Sequence, residues 1–128
     1  MLLFYDFEVF SHDWLVVVLD PSTRSETVIV NDGDALAKLY YANRDNVIFV
    51  GYNNRRYDQY IMRGILAGFD PKEINDWIIK DGKQGWQFSR LFQTYPMVNY
   101  DVMPNPPVGL KTLEGFMGAS IEETSVPF

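Results

Sequence analysis

LLFYDFEVFSHDWLVVVLD, residues 2–20, holds two dense apolar runs separated by Ser11-His12-Asp13. The second run, WLVVVLD, is rich in β-branched residues, and both runs have strand length. The short polar link between them predicts a hairpin of strands over 2–10 and 14–20. Pro21-Ser22-Thr23 makes the next turn, and ETVIV (26–30) supplies a third strand. Three adjacent strands on short links predict an antiparallel meander.

Beyond the meander the periodicity changes. Asn31-Asp32-Gly33-Asp34 is a helix start with Asp32 or Asp34 as its cap. Leu36, Leu39 and Tyr40 then recur at helical spacing to about Asn43. VIFV (47–50) is apolar throughout, as in a central strand covered on both faces. The pattern predicts a helix from about Asn54 to Gly68, with Ile61, Ile65 and Leu66 facing inward. A shorter helix is predicted over 71–79, with Pro71 in its first turn. Residues 80–96 carry Gly82, Gly85, Trp86, Phe88 and Phe92, and read as a loop with some helix or extended backbone. MVNYDV (97–102) is a last strand, Pro104, Pro106 and Pro107 interrupt the chain, and 111–117 reads as a helix capped by Gly118. The order β-β-β-α-β-α, irregular chain, β, α predicts an α/β fold: a mixed sheet of about five strands, meander first, flanked by helices. The ribonuclease H-like architecture has this order.

Composition sets the bounds. The 128 residues suffice for one domain with one core. The 47% hydrophobic and 22% charged fractions are those of a globular chain. Cysteine is absent, which removes disulfides and thiolate metal sites. No apolar run approaches the roughly 18 residues of a spanning helix, and Asp6 interrupts any signal-like start. The expectation is a cytoplasmic protein without membrane contact. The net charge of −6 repels nucleic acid on average, so any such binding depends on metal ions or a local basic cluster.

Two motifs carry the chemistry. Seven of the nine residues 2–10 are apolar or aromatic, and the other two are Asp6 and Glu8. Two apart on a strand, they share a face. Side by side they repel, so one protonates or a cation sits between them. Hard divalent ions such as Mg²⁺ choose oxygen donors and commonly take one or two carboxylates plus water and phosphate. The competing reading is a polar strand face turned to solvent, which the apolar Phe4, Val9 and Phe10 weaken. The second motif, GYNNRRYDQYI (51–61), follows the strand 47–50 at once, where open α/β sheets place their ligands. Gly51 permits a tight turn, Asn53 or Asn54 can cap the helix, and Asp58 falls in its first turns. Read alone, this is a capped helix with solvated charges.

Together, D-x-E on the first strand and G-Y-N-x-x-x-Y-D after the fourth resemble the first two of three motifs of the DEDD-type 3′→5′ exonuclease superfamily. Asn99-Tyr100-Asp101-Val102 and Leu110-Lys111-Thr112-Leu113-Glu114 extend the likeness to the proofreading domains of DNA polymerases, most nearly the N-terminal exonuclease-like domain of phage or prophage polymerases. The resemblance implies two Mg²⁺ or Mn²⁺ ions on Asp6, Glu8 and Asp58, with Asp6 shared, acting at the 3′ end of single-stranded DNA. It also implies that Asn53, Tyr57, Arg55 and Arg56 meet the nucleic acid, and that a polymerase domain follows in the same chain.

Two departures accompany the likeness. The family's third motif, Tyr or His followed four positions on by Asp, has no match after Asp58. Tyr41 to Asp45 has the spacing but precedes the second motif. Val9 stands where many members have Thr. The expectation is therefore an N-terminal fragment with weak or no activity by itself. The alternatives are a module of the same fold that binds nucleic acid or a replication partner without cutting, and a ribonuclease H or resolvase, against which the N-x-x-x-Y-D spacing argues. Of the other candidates, Phe7, Val9 and Phe10 are expected in the core, Arg63 on a solvated helix face and His12 exposed in a turn. Asp101 is expected as a turn or cap residue. Trp77, Trp86, Phe88 and Phe92 are expected to bury a loop rather than stack on bases.

Overall fold

The computed structural model describes residues 1–102, so the helix expected over 111–117 lies outside the described residues. The three-strand meander forms as expected: β1 (Leu2–Val9), β2 (Trp14–Asp20) and β3 (Ser25–Val30) pair antiparallel. After α1 (Gly33–Asn43), strand β4 (Ile48–Gly51) joins β1 in parallel. The helices α2 (Asp58–Ala67) and α3 (Pro71–Ile79) and two short 3₁₀ turns, Gly85–Gln87 and Arg90–Thr94, follow, and β5 (Val98–Asp101) pairs parallel with β4. Among the described residues the result is a five-stranded mixed sheet in the order β3-β2-β1-β4-β5, accompanied by three α-helices. β1 is the central strand, which is why nearly all of it is apolar.

Strand alternation divides the core. Leu3, Tyr5 and Phe7 of β1 join Val16, Val18 and Phe49, and all three helices pack on this face through Leu36, Tyr40, Ile61, Met62 and Ile74. Phe4, Leu19 and Val50 form a smaller cluster on the opposite face, with Val102 against it. Ile65, Leu66 and Val9 are partly buried against the larger core, as their spacing implied. The helix-side cluster closes over an aromatic seam. Phe88 and Phe92 stack with centroids 5.8 Å apart, and Phe88 meets Trp77 and Phe69 edge-on. Phe88 and Phe92, with Trp77 of α3, thus bury residues 80–96 as expected; Trp86 does not and is 62% exposed. Gly64 permits the close approach of α2 to α3, since a Cβ there would collide with Ile74 Cδ1.

Several boundaries and side chains differ from the sequence expectation. Asp32 is the α1 cap, its carboxylate accepting from the Ala35 N–H at 3.0 Å. α2 starts four residues later than expected, because Asn53 sits at φ 60° and residues 53–57 close a turn instead of helix. Its far end is as expected: Gly68 takes φ 91° and donates to the Gly64 and Ile65 carbonyls. Phe10 is not core. β1 ends at Val9, Phe10 N donates to Asp13 O in the turn, and the residue is 44% exposed. Arg63 is not a solvated residue: it is partly buried, and its Nη1 donates to Phe92 O at 2.9 Å. His12 is exposed in the hairpin turn, as expected.

Candidate functional site

The site is built where β1 outruns its neighbour. β4 pairs with β1 only as far as Phe4 opposite Val50. Ile48 N donates to Met1 O, so by alternation the odd-numbered residues of β1 turn their backbone groups towards β4. Past Phe4 this edge has no strand beside it, and a buried N–H left without an acceptor is costly. Asp58 supplies the acceptor. Its Oδ1 receives the Phe7 N–H at 2.9 Å, and the residue is 3% exposed. The second-motif aspartate therefore reaches the first-motif strand between Asp6 and Glu8.

Asp6 and Glu8 lie on the face opposite Tyr5 and Phe7, opposite Val17 and Leu15 of β2. Glu8 is 3% exposed and Asp6 is partly exposed. Burial, with the charge of Glu8 second, pushes the Asp6 carboxyl up from its usual 3.8 to about 6. Burial also raises Asp58 well above the ordinary carboxylate range, followed by the charge of Asp6; the Phe7 N–H pulls in the other direction. Asp6 is thus electrostatically linked to both partners. The three do not close into one cage: among the described residues no group of three His, Cys, Asp or Glu side chains is placed to hold a metal ion together. The reason is topological. Asp6 and Glu8 project from a sheet face, whereas Asp58 arrives at the strand edge. Oxygen donors in mutually repelling pairs suit a divalent cation, which commonly takes only one or two carboxylates. The donor chemistry of Asp6, Glu8 and Asp58, oxygen only, is of the kind that Mg²⁺ or Mn²⁺ takes.

The predicted nucleic-acid residues are placed unequally. Arg55 and Arg56 are exposed on the turn that precedes Asp58. Tyr57 is partly buried and tied to α3, its hydroxyl donating to Asn75 Oδ1 at 2.6 Å. It heads α2 without a side-chain cap, so neither Asn53 nor Asn54 caps that helix as expected. Asn54 is fully buried, its Nδ2 reaching Phe49 O at 3.4 Å and Asn99 Oδ1 at 3.3 Å. Gly51 serves close approach rather than a turn: a Cβ there would meet Asn54 Cβ at 3.0 Å and Tyr5 O at 3.1 Å. Asn53 is held through its backbone, its N–H donating to Asp101 Oδ1 at 2.9 Å. Asp101 thus has the cap role expected of it. Asn99, which the sequence reading placed in the resemblance without a role of its own, accepts from the Tyr5 hydroxyl at 2.8 Å. The available signal was alternation: Asn99 and Asp101 are two apart on a strand and point together towards the second motif.

A cavity of about 500 Å³ lies at the hairpin end of the sheet, lined by Phe10, His12, Trp14, Asn31, Asp70 and others. The three carboxylates do not line it. Its own acids serve the fold: Asp13 accepts from Asn31 Nδ2, and Asp70 caps α3 through the Lys72 N–H.

The Asp58 bond makes a charge-neutral test possible. Asp58→Asn keeps an oxygen for the Phe7 N–H while removing the charge, and is expected to leave thermal stability at pH 7 unchanged or raised. Asp58→Ala strands the N–H and is expected to cost about 1–3 kcal/mol relative to Asp58→Asn in denaturant titrations. Equal stabilities for the two variants would show that the bond to Phe7 contributes nothing.

Comparison with protein-family models, curated proteins and solved structures gives no match. No helix among the described residues is long and apolar enough to cross a membrane.

Proposed function

We propose that this chain is the metal-dependent 3′→5′ exonuclease domain of a phage-type DNA polymerase, acting on single-stranded DNA 3′ ends, with a ribonuclease H-like fold. One observation carries the reading: Asp58, singled out by a motif far along the chain, is buried against β1 with its carboxylate on Phe7 N, between Asp6 and Glu8. A capped helix with a solvated aspartate would not place it there.

In this reading Asp6, Glu8 and Asp58 hold Mg²⁺ or Mn²⁺, with Asp6 common to both pairs. When bound, such ions supply Lewis-acid activation of water and neutralise charge at the leaving 3′ oxygen. The chain's own residues do the rest. Burial and mutual repulsion penalise the charges of Asp6 and Asp58, and a cation beside them relieves that penalty, which makes the site favour cations. Arg55 and Arg56, exposed on the adjoining turn, offset the overall negative charge and meet backbone phosphates. Tyr57 is fixed through its hydroxyl bond to Asn75 beside Asp58 in the chain. A downstream polymerase domain would deliver the strand. The family's water-orienting Tyr or His has no counterpart in the sequence after Asp58, so this chain by itself is expected to be weak or inactive.

The test is hydrolysis of a labelled single strand with Mg²⁺ or Mn²⁺, by this chain and by a longer one carrying the third motif. Asp6→Ala with Glu8→Ala is expected to abolish hydrolysis in the longer chain. Activity that survives the double change would overturn the assignment. A second reading is a non-cutting module that binds nucleic acid or a replication partner on the same fold. It predicts no Mn²⁺ affinity that depends on Asp6.

A further inference from the structure

The turn that delivers Asp58 has no helix cap of its own, and Asn53 within it holds a left-handed φ of 60°. Side chains of the neighbouring strand hold it. Asp101 ends β5 opposite Gly51, the last residue of β4. Its two carboxylate oxygens each take a backbone N–H of the turn: Oδ1 from Asn53 at 2.9 Å and Oδ2 from Arg55 at 3.3 Å. Two residues earlier, Asn99 Oδ1 accepts from both the Tyr5 hydroxyl and Asn54 Nδ2, pegging the same turn to the central strand. The turn then closes on itself, with Arg56 N and Tyr57 N donating to Asn53 O and Gln59 N to Asn54 O. Asp58 is the next residue after this assembly.

We infer that Asp101, assisted by Asn99, is a positioning residue: it clamps residues 53–57 so that the Asp58 carboxylate reaches the edge of β1 at Phe7, where no strand pairs with it. Its role in this proposal is positional, since each of its oxygens accepts a backbone N–H of the turn. The consequence for metal capture rests on the exonuclease reading, whereas the clamp does not. Removing the Asp101 carboxylate frees two N–H groups, lets Asn53 leave its left-handed conformation and shifts the start of α2. Asp58 then loses its register with Phe7 while the β1-β2-β3 meander, which makes no use of the turn, persists.

The experiment is amide hydrogen exchange by NMR on the full chain, with Mn²⁺ line broadening recorded in parallel. In Asp101→Ala, protection at Asn53, Arg55 and Phe7 is expected to fall about tenfold or more relative to the ladder amides of β2 and β3. Asp101→Asn, which retains one acceptor oxygen, is expected to recover part of the loss at Phe7. Broadening centred on Asp6 is expected to need about tenfold more Mn²⁺ in Asp101→Ala. Phe7 protection that holds while Asn53 and Arg55 lose theirs would overturn the proposal, and so would a uniform fall at all amides, which marks a purely global role. If the unaltered chain shows no Mn²⁺ broadening at Asp6, the metal reading fails, and the Phe7 result still decides the clamp.

Discussion

Asp6→Asn is expected to make the metal-free protein more stable at pH 7, and the gain is expected to vanish near pH 3.5. Burial and the charge of Glu8 raise the folded-state Asp6 carboxyl to about 6 from 3.8. A carboxyl raised on folding binds more protons in the native state than in the unfolded one across that interval, so stability falls as pH rises from about 4 to about 6. The shift corresponds to about 3 kcal/mol above pH 6, an upper figure because the partly exposed side of Asp6 is screened by water. Asn removes the penalty and also withdraws the second-largest cause of the upward shift at Asp58. Thermal or urea unfolding from pH 3.5 to pH 8, without divalent ions, reads the effect directly. Adding Mn²⁺ at pH 7 should stabilise the unaltered chain and not the variant, since only the former has charge for the ion to neutralise. A variant less stable than the parent at pH 7 would show that Asp6 is a structural partner rather than a repelled charge.

Ile61→Ala is expected to cost about 2–5 kcal/mol, the range for a fully buried aliphatic side chain truncated in a core. Ile61 is 0% exposed, packs in the helix-side cluster and lies one turn beyond Asp58 on α2. Its burial holds α2 against β1, so the loss acts on the site as well as on the fold. Chemical denaturation should show a lower midpoint with an unchanged slope, since the same surface is exposed on unfolding. Ile65→Ala, a partly buried neighbour on the same helix, is expected to cost less, which separates burial depth from helix propensity.

Much of the fold was legible because the sequence writes its periodicities clearly. WLVVVLD cannot be an amphipathic helix, and VIFV is too apolar for an edge. The start of α2 was misread because Asn53 and Asn54 are good capping residues. Which conformation they take depends on Asp101, 48 residues away, accepting the Asn53 N–H. Phe10 was misread because alternation continued one residue past the last strand position, and only the hairpin geometry shows where the ladder stops. Arg63 was read as solvated because a lone arginine on a helix usually is; here the chain returns over it and Phe92 O accepts from its guanidinium.

By itself the sequence determined the element types, the meander and the pairing of Asp6 with Glu8 on one strand face, because side-chain period and turn chemistry are local properties. Tertiary structure alone decided that Asp58 meets that strand at its edge, at Phe7, rather than on the face beside the other two. β4 stops short of β1 and leaves a backbone N–H to be satisfied, and the turn that follows β4 carries Asp58 to it.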